Sequence, residues 1–398
     1  MLHESLLAEA RAIAGDIVSL RRAIHAEPEL GLDTPKTRDK VRAALADLPL
    51  EWREGPSTTG LVATLKGGQP GRSVLLRGDM DALPMAEETG LDFASTVPGT
   101  MHSCGHDTHT AMLAGAARLL CARADQLRGE VRFMFQPGEE GFHGARHMLD
   151  EGLLNPLPEA AFALHIMPNA QHGLVAGRAG ALMASADQFE IVVEGRGGHA
   201  AMPHNALDPV PIACEIVMAL QALVARQFDA ADPVVATVAR IEAGTAHNVI
   251  ADFCTLKGTL RSLSPRHRAK LHAALTQLAQ GIAQAHGASA KVVITPGFPV
   301  TLCDSRAVAM GEAVTTDLFG APSWRTLDAP IMGAEDFSYV LEQVPGAMFF
   351  LGVAHEGVDY HKCPSIHSPR MMVDEAALPH GAALLAGLAE RFLENGWD

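Results

Sequence analysis

Positive charge, long apolar runs and patterned cysteines are what this 398-residue chain has little of, and each shortage excludes something. Lys and Arg number 31 against 46 Asp and Glu, a formal net charge of −15. With no basic cluster and no aromatic-basic interleaving, nucleic acid is not an expected partner. No run of 18 apolar residues occurs. The first helix-like stretch, Leu2 to Ile24, is interrupted by Glu4, Glu9, Arg11, Asp16, Arg21 and Arg22. Neither a signal peptide nor a membrane span is expected there, and the chain reads as cytoplasmic. The six cysteines, at 104, 121, 214, 254, 303 and 363, lack a disulfide-scaffold spacing and fit reduced thiols. There is no internal repeat and no low-complexity linker.

What is present is globular. Hydrophobic residues make up 48% and charged residues 19%, which excludes a largely disordered protein. The length implies two domains, or one large α/β domain with an insertion. Histidine is abundant, at 19 residues, and several fall just after expected strands.

Along the chain, the pattern is helical to about His25, breaks at Glu27 to Gly31, and is helical again from Thr37 to Leu48. Leu61 to Leu65, Ser73 to Arg77, Val131 to Phe135 and Ala160 to Leu164 read as buried strands. Thr108 to Ala124 reads as a helix, with Cys121 in its core face. From about Ala184 the order changes to strand 188–194, helix 208–228, strands 234–242 and 253–262, helix 266–286 and strand 290–295. That is the βαββαβ order of a ferredoxin-like sandwich. The predicted organisation is therefore an α/β domain with a mixed sheet and helices on both faces, residues 1–183 and 296–398, interrupted by an inserted α+β domain, residues 184–295. A helix near Ser305 to Phe319, a strand at Ala347 to Val353 and a final helix complete the outer domain.

The densest chemistry is Met101 to His109, where Cys104, His102, His106, His109 and Asp107 surround Gly105. If the segment runs extended before a helix beginning near Thr108, Cys104 and His106 point to one side. Thiolate with imidazole suits zinc or a similar transition ion. Alternatively, Cys104 is a buried thiol beside a helix-capping Asp107. Asp79 and Asp81 follow one strand, where open α/β sheets build sites. Glu139 and Glu140 follow another strand: they are either solvated acids or a metal ligand beside a proton carrier. His165 ends a third strand. In the inserted domain, Gly197 to His204 carries His199 in a glycine-rich loop. Asn248 and Arg261 either grip a carboxylate or are a turn asparagine and a surface arginine. His25 and His367, taken singly, read as structural.

Arg77 to Pro84, Met101 to His109, Gln136 to Gly141, His165 to Pro168, Gly197 to His204, His247 to Ile250, Met332 to Phe337 and His367-Ser368-Pro369 together resemble the aminoacylase and hippurate hydrolase group of dinuclear metal amidohydrolases, related to carboxypeptidases and desuccinylases. The resemblance implies metal ligands at Cys104, His106, Glu140, His165 and His367, with Cys104 shared between two divalent ions drawn from manganese, zinc, nickel or cobalt. It implies Glu139 as general base, Asp81 as an orienting acid, and His199 as an oxyanion donor reaching across from a second subunit. Asn248 and Arg261 would hold the substrate carboxylate. Asp79 stands where the carboxypeptidase branch has a ligand histidine, and the thiol at 104 stands in place of that branch's bridging carboxylate. His102, His109 and Asp107 are then supporting residues.

The implied activity is metal-dependent hydrolysis of N-acyl-L-amino acids, hippurate-like or N-acetylated, by a homodimer or higher homo-oligomer joined through the inserted domain, which would also act as a lid. The substrate is a small molecule, and no membrane is involved. A dipeptidase or aminopeptidase-like metallopeptidase, and a non-catalytic metal-binding homologue, are the competing readings.

Overall fold

The computed structural model describes residues 2–398, so only Met1 of the predicted outer domain lies outside the described residues. Two compact units emerge: residues 1–182, 302–329 and 336–398, and residues 183–301 with 330–335. The second unit takes in 296–301 and also 330–335, which the sequence pattern assigns to the outer region.

In the first unit, α1 (Leu2–Ala12) and α2 (Ala14–His25) break at Ile13, and α3 (Pro35–Ala44) follows with Pro35 at its first turn. Strands β1 (Glu51–Glu54), β2 (Leu61–Lys66) and β3 (Gln69–Asp79) lead to α4 (His106–Cys121) and β4 (Arg128–Gln136). Then come α5 (Gly144–Asp150), β5 (Ala160–Met167), β6 (Val175–Gly177) and, on the way out of the unit, β7 (Gly180–Met183). The buried strands carry apolar runs where sheet surface needs them: Ala160 to Ile166 of β5 is continuously buried.

The second unit holds β8 (Asp187–Glu194), β9 (Gly198–His199), α6 (Pro209–Gln227), β10 (Val234–Ala243), β11 (Val249–Ile250), β12 (Phe253–Ser262), α7 (Pro265–Ala285) and β13 (Ser289–Thr295). Its four-stranded sheet runs β10-β12-β8-β13, all antiparallel, the ferredoxin-like order. Asp208 caps α6 by accepting the Val210 N–H, and Ser264 caps α7 by accepting that of His267. Ile212, Ile216 and Leu220 of α6 and Leu271, Leu275 and Ala279 of α7 share one core with Ile191 and Leu256 of the sheet. Among the described residues, α6 alone is long and apolar enough to cross a membrane.

The chain returns through β14 (Thr301–Cys303), α8 (Ser305–Phe319), β15 (Trp324–Thr326), α9 (Ser338–Leu341), β16 (Gly346–Gly352) and α10 (Leu378–Asn395). The eight-stranded sheet of the first unit runs β1-β2-β4-β3-β5-β16-β6-β15. It is mixed, as expected, but its centre, β4-β3-β5-β16, is parallel throughout. Those four strands therefore deliver their carboxyl ends to one edge, where Asp81, Glu139, Glu140 and His165 are found. The apolar α4 and α10 pack on this sheet and on each other, and α5 packs against α9.

Candidate metal centre

The nonapeptide does not run extended. Gly105 takes a left-handed conformation (φ 86°) as the N-cap residue, and α4 begins at His106, two residues earlier than the hydrophobic pattern indicates. The turn, rather than strand alternation, brings Cys104 and His106 together. A side chain at Gly105 would also place its Cβ 2.6 Å from Ile166 Cγ1, so both the backbone angle and the available space demand glycine.

Five groups of donors among the described residues have ligand atoms within 4.8 Å of one another: Cys104, His106 and His165; Cys104, Glu140 and His367; His106, Glu139 and Glu140; Asp79, His106 and His109; and Glu139, Glu335 and Asp336. Cys104 belongs to two of them, as a sulfur shared by two ions must. His106 provides the test of fit. Its Nδ1 donates to the backbone oxygen of Asp81 at 2.8 Å, while its Nε2 is buried without a hydrogen-bond partner. That nitrogen lies 3.9 Å from Glu139 Oε2 and 4.0 Å from Glu140 Oε1. A buried imidazole with one nitrogen anchored on a carbonyl and the other aimed at carboxylates is built to ligate a cation. The donor set of thiol, imidazole and carboxylate suits zinc and its first-row neighbours, not calcium.

The electrostatics agree. Burial opposes charge on His106, yet Asp79 and Cys104 beside it raise its pKa well above the ordinary value. Hydrogen bonds that His367 donates to Cys104 and Glu140 raise its pKa to about 10. Burial pushes the Cys104 thiol up. For Glu140, burial is outweighed by His367 and His106, which lower its pKa. Protons thus occupy positions that a divalent ion would contest, and metal affinity should rise with pH. His367 reaches Glu140 Oε1 at 3.2 Å from a non-glycine left-handed backbone (φ 62°), held there by its N–H to the Ser103 oxygen at 2.7 Å. Such strain is typical of functional positions.

Asp81 places its Oδ1 3.5 Å from His106 Nδ1. Its two oxygens accept the backbone N–H groups of Glu139 (2.9 Å) and Glu140 (3.0 Å), fixing the glutamate loop. Asp79 is committed elsewhere: Arg77 donates to its Oδ2 at 2.6 Å and His109 to its Oδ1 at 2.6 Å. Asp107 does not cap the helix. Its Oδ2 accepts from Arg21 Nε (2.7 Å) and His25 Nδ1 (2.8 Å). His102 is buried with neither ring nitrogen hydrogen-bonded, and burial lowers its pKa to about 3.

His199, Asn248 and Arg261 all belong to the second unit. His199 pairs with Val249 across β9 and β11, and Ala200 donates to the Asn248 oxygen at 3.1 Å, so these two residues adjoin. Arg261 lies in β12 opposite Val235. Sequence reasoning did not identify the Arg77–Gln136–Asp336 network. Arg77 Nε donates to Gln136 Oε1 at 2.8 Å, and Asp336 receives Arg77 at 3.0 Å and Gln136 at 2.8 Å. An arginine inside an otherwise apolar strand was its one visible signal.

Residues 75–391 match the sequence profile of peptidase family M20/M25/M40. The chain is 38% identical to thermostable carboxypeptidase 1 of Saccharolobus solfataricus, over 98% of this chain and 99% of that one. It is 39% identical to IAA-amino acid hydrolase ILR1-like 2 of Arabidopsis thaliana, over 95% of this chain and 85% of that protein. Its fold is similar to a crystal structure of a dinuclear metal-binding M20 peptidase from Bacillus subtilis, with a TM-score of 0.83 and 34% identity, covering 96% of this chain and 99% of that one. The chain belongs to peptidase family M20/M25/M40 and is a metal-dependent amidohydrolase.

Proposed function

We propose that the protein hydrolyses the amide bond of N-acyl-L-amino acids, releasing a carboxylic acid and a free amino acid. The observation that carries this reading is the sharing of Cys104 between two donor groups, with Glu139 grouped with His106 of one and Glu140 of the other. Cys104, His106, Glu140, His165 and His367 would hold two divalent ions. When bound, such ions supply Lewis-acid polarisation of a carbonyl and acidification of water.

Glu139 takes a proton from the attacking water as the new C–O bond forms, then hands it to the amine nitrogen as the C–N bond breaks. Asp81 keeps Glu139 in place through its backbone. His199 donates to the oxygen that gains charge, while Asn248 and Arg261 hold the substrate's free carboxylate. His199 does this for a partner subunit in a homodimer formed through the second unit, which also closes over substrate. Two exposed apolar side chains of that unit are consistent with the dimer: Met218 on α6, 71% exposed, and Ile241 on β10, 52% exposed and on an edge strand of the four-stranded sheet.

Action on peptides is the second reading, favoured by the near-equal similarity to the archaeal carboxypeptidase. Rates on benzoyl-glycine, acetyl-methionine and several dipeptides, each with manganese, zinc, nickel or cobalt, separate the two. The proposal expects the acylated amino acids to be hydrolysed fastest; a clear preference for dipeptides overturns it.

A further inference from the structure

Beyond the donors themselves, we propose that His109, oriented by Asp79, is a positioning residue for His165, acting through the backbone of Ile166. The inference rests on the reading of His165 as a ligand and explains what holds that ring in the ligating orientation.

The pairing of β5 with β3 ends at Ala163 opposite Arg77. Beyond that point, the N–H of Ile166 is received by His109 Nε2 at 2.9 Å. A ring nitrogen that accepts a hydrogen bond carries no proton, so the proton of His109 sits on Nδ1, facing the Asp79 carboxylate at 2.6 Å. Asp79 is itself immobilised by Arg77 at 2.6 Å and, through its backbone oxygen, by Thr110 Oγ1 at 2.5 Å. The carboxylate therefore selects the one tautomer of His109 that can hold Ile166.

Ile166 is gripped on a second side, because its side chain occupies the space above Gly105. Its carbonyl in turn receives His165 Nδ1 at 2.7 Å. Because a carbonyl only accepts, that contact fixes the proton of neutral His165 on Nδ1 and leaves Nε2 as a lone pair, 3.4 Å from Cys104 Sγ. The sequence of effects runs from the Asp79 charge to the His109 tautomer, to the Ile166 backbone, to the ring of His165. Asp79 and His109 are thus committed to the layer behind the donors, although they lie within donor distance of His106.

The two amide substitutes for His109 separate this role from simple packing. In His109→Gln the side-chain oxygen can reach the Nε2 position and still accept from Ile166. In His109→Asn the amide can donate to Asp79 but leaves the Ile166 N–H without an acceptor. Cobalt(II) titrated into the metal-free full-length protein, read by its visible spectrum and by chelator competition, should bind His109→Asn about 10- to 100-fold more weakly with an altered spectrum, and His109→Gln nearly as wild type. Wild-type binding by His109→Asn, or equal weakening in both variants, overturns the inference.

His165→Ala, measured in parallel, should lose binding. If it keeps wild-type binding, the ligand assignment itself fails. The protonation pattern can also be read without any variant, from imidazole nitrogen NMR of the zinc-loaded wild type. His109 should be protonated at Nδ1 and accepting at Nε2, and an Nε2-protonated His109 overturns the inference.

Discussion

On the proposed reading, Cys104 and Glu139 divide the work at the scale of single residues. The sulfur lies in two donor groups at once, whereas Glu139 shares a group with His106 and Glu140 but is fixed by the Asp81 grip on its own backbone. A residue placed to move a proton should be separable from those that hold ions. Glu139→Gln should keep wild-type metal content while turnover falls by about 10²- to 10⁴-fold. Elemental analysis alongside steady-state rates checks this, and activity within tenfold of wild type would remove Glu139 as the base. The candidate donors were legible as a cluster because each closes a buried strand or turn in a chemically conspicuous way: a cysteine beside glycine, paired glutamates, a histidine after an apolar run. His102, His109 and Asp107 were legible as supporting residues, but the partners that hold His109 and Asp107 were not. Asp79 meets His109 from 30 positions away, and His25 meets Asp107 from 82, separations to which periodicity is blind.

At the scale of elements, the start of α4 carries the site. Gly105→Ala would force an L-residue to φ 86° and drive its Cβ into Ile166. We expect a loss of about 1–3 kcal/mol in stability, together with weakened metal binding, because Ile166 adjoins His165. Chemical denaturation with and without zinc measures both effects.

The same helix is tied to α2 by a buried charge network. Arg21 and His25 hold Asp107, and His25 Nε2 lies 3.1 Å from Glu87. Burial opposes the charge on His25, but Asp107 and Glu87 raise its pKa from 6.5 to about 9, a rise corresponding to roughly 3 kcal/mol at most. Because the folded state binds this proton more tightly, the contribution is complete below pH 6.5 and is lost as pH rises through about 9. Burial likewise opposes the Asp107 charge, yet Arg21 and His25 hold its pKa far below the ordinary 3.8, so its contribution is present above that value and is lost only in strong acid. The gap in melting temperature between wild type and His25→Gln should be widest near pH 6 and narrow towards pH 9.5. A gap that stays constant with pH would show His25 to be neutral in the fold.

The long strands and helices were legible from apolar periodicity, with β12 and α8 matching their expected limits. The short strands β1, β6 and β15 were not, since three or four residues show too little alternation. The start of α4 was misplaced because a left-handed glycine, rather than a capping side chain, opens it.

At the scale of the whole molecule, the βαββαβ order of the sequence agrees with the sheet order of the second unit. The return of residues 330–335 to that unit left no mark in the sequence pattern. The proposed dimer predicts complementation. His199→Ala and Glu139→Gln proteins, each inactive alone, should regain roughly a quarter of wild-type activity when their subunits exchange at equal amounts, because one of the two sites in each mixed dimer is intact. No recovery despite proven exchange would confine each site to a single chain.

The central claim, a pair of ions organised on Cys104, is tested most directly by metal stoichiometry after equilibrium dialysis against zinc, comparing wild type with Cys104→Ala. The account predicts two ions per wild-type chain and fewer than one in the variant. Two ions retained without the thiol would contradict it.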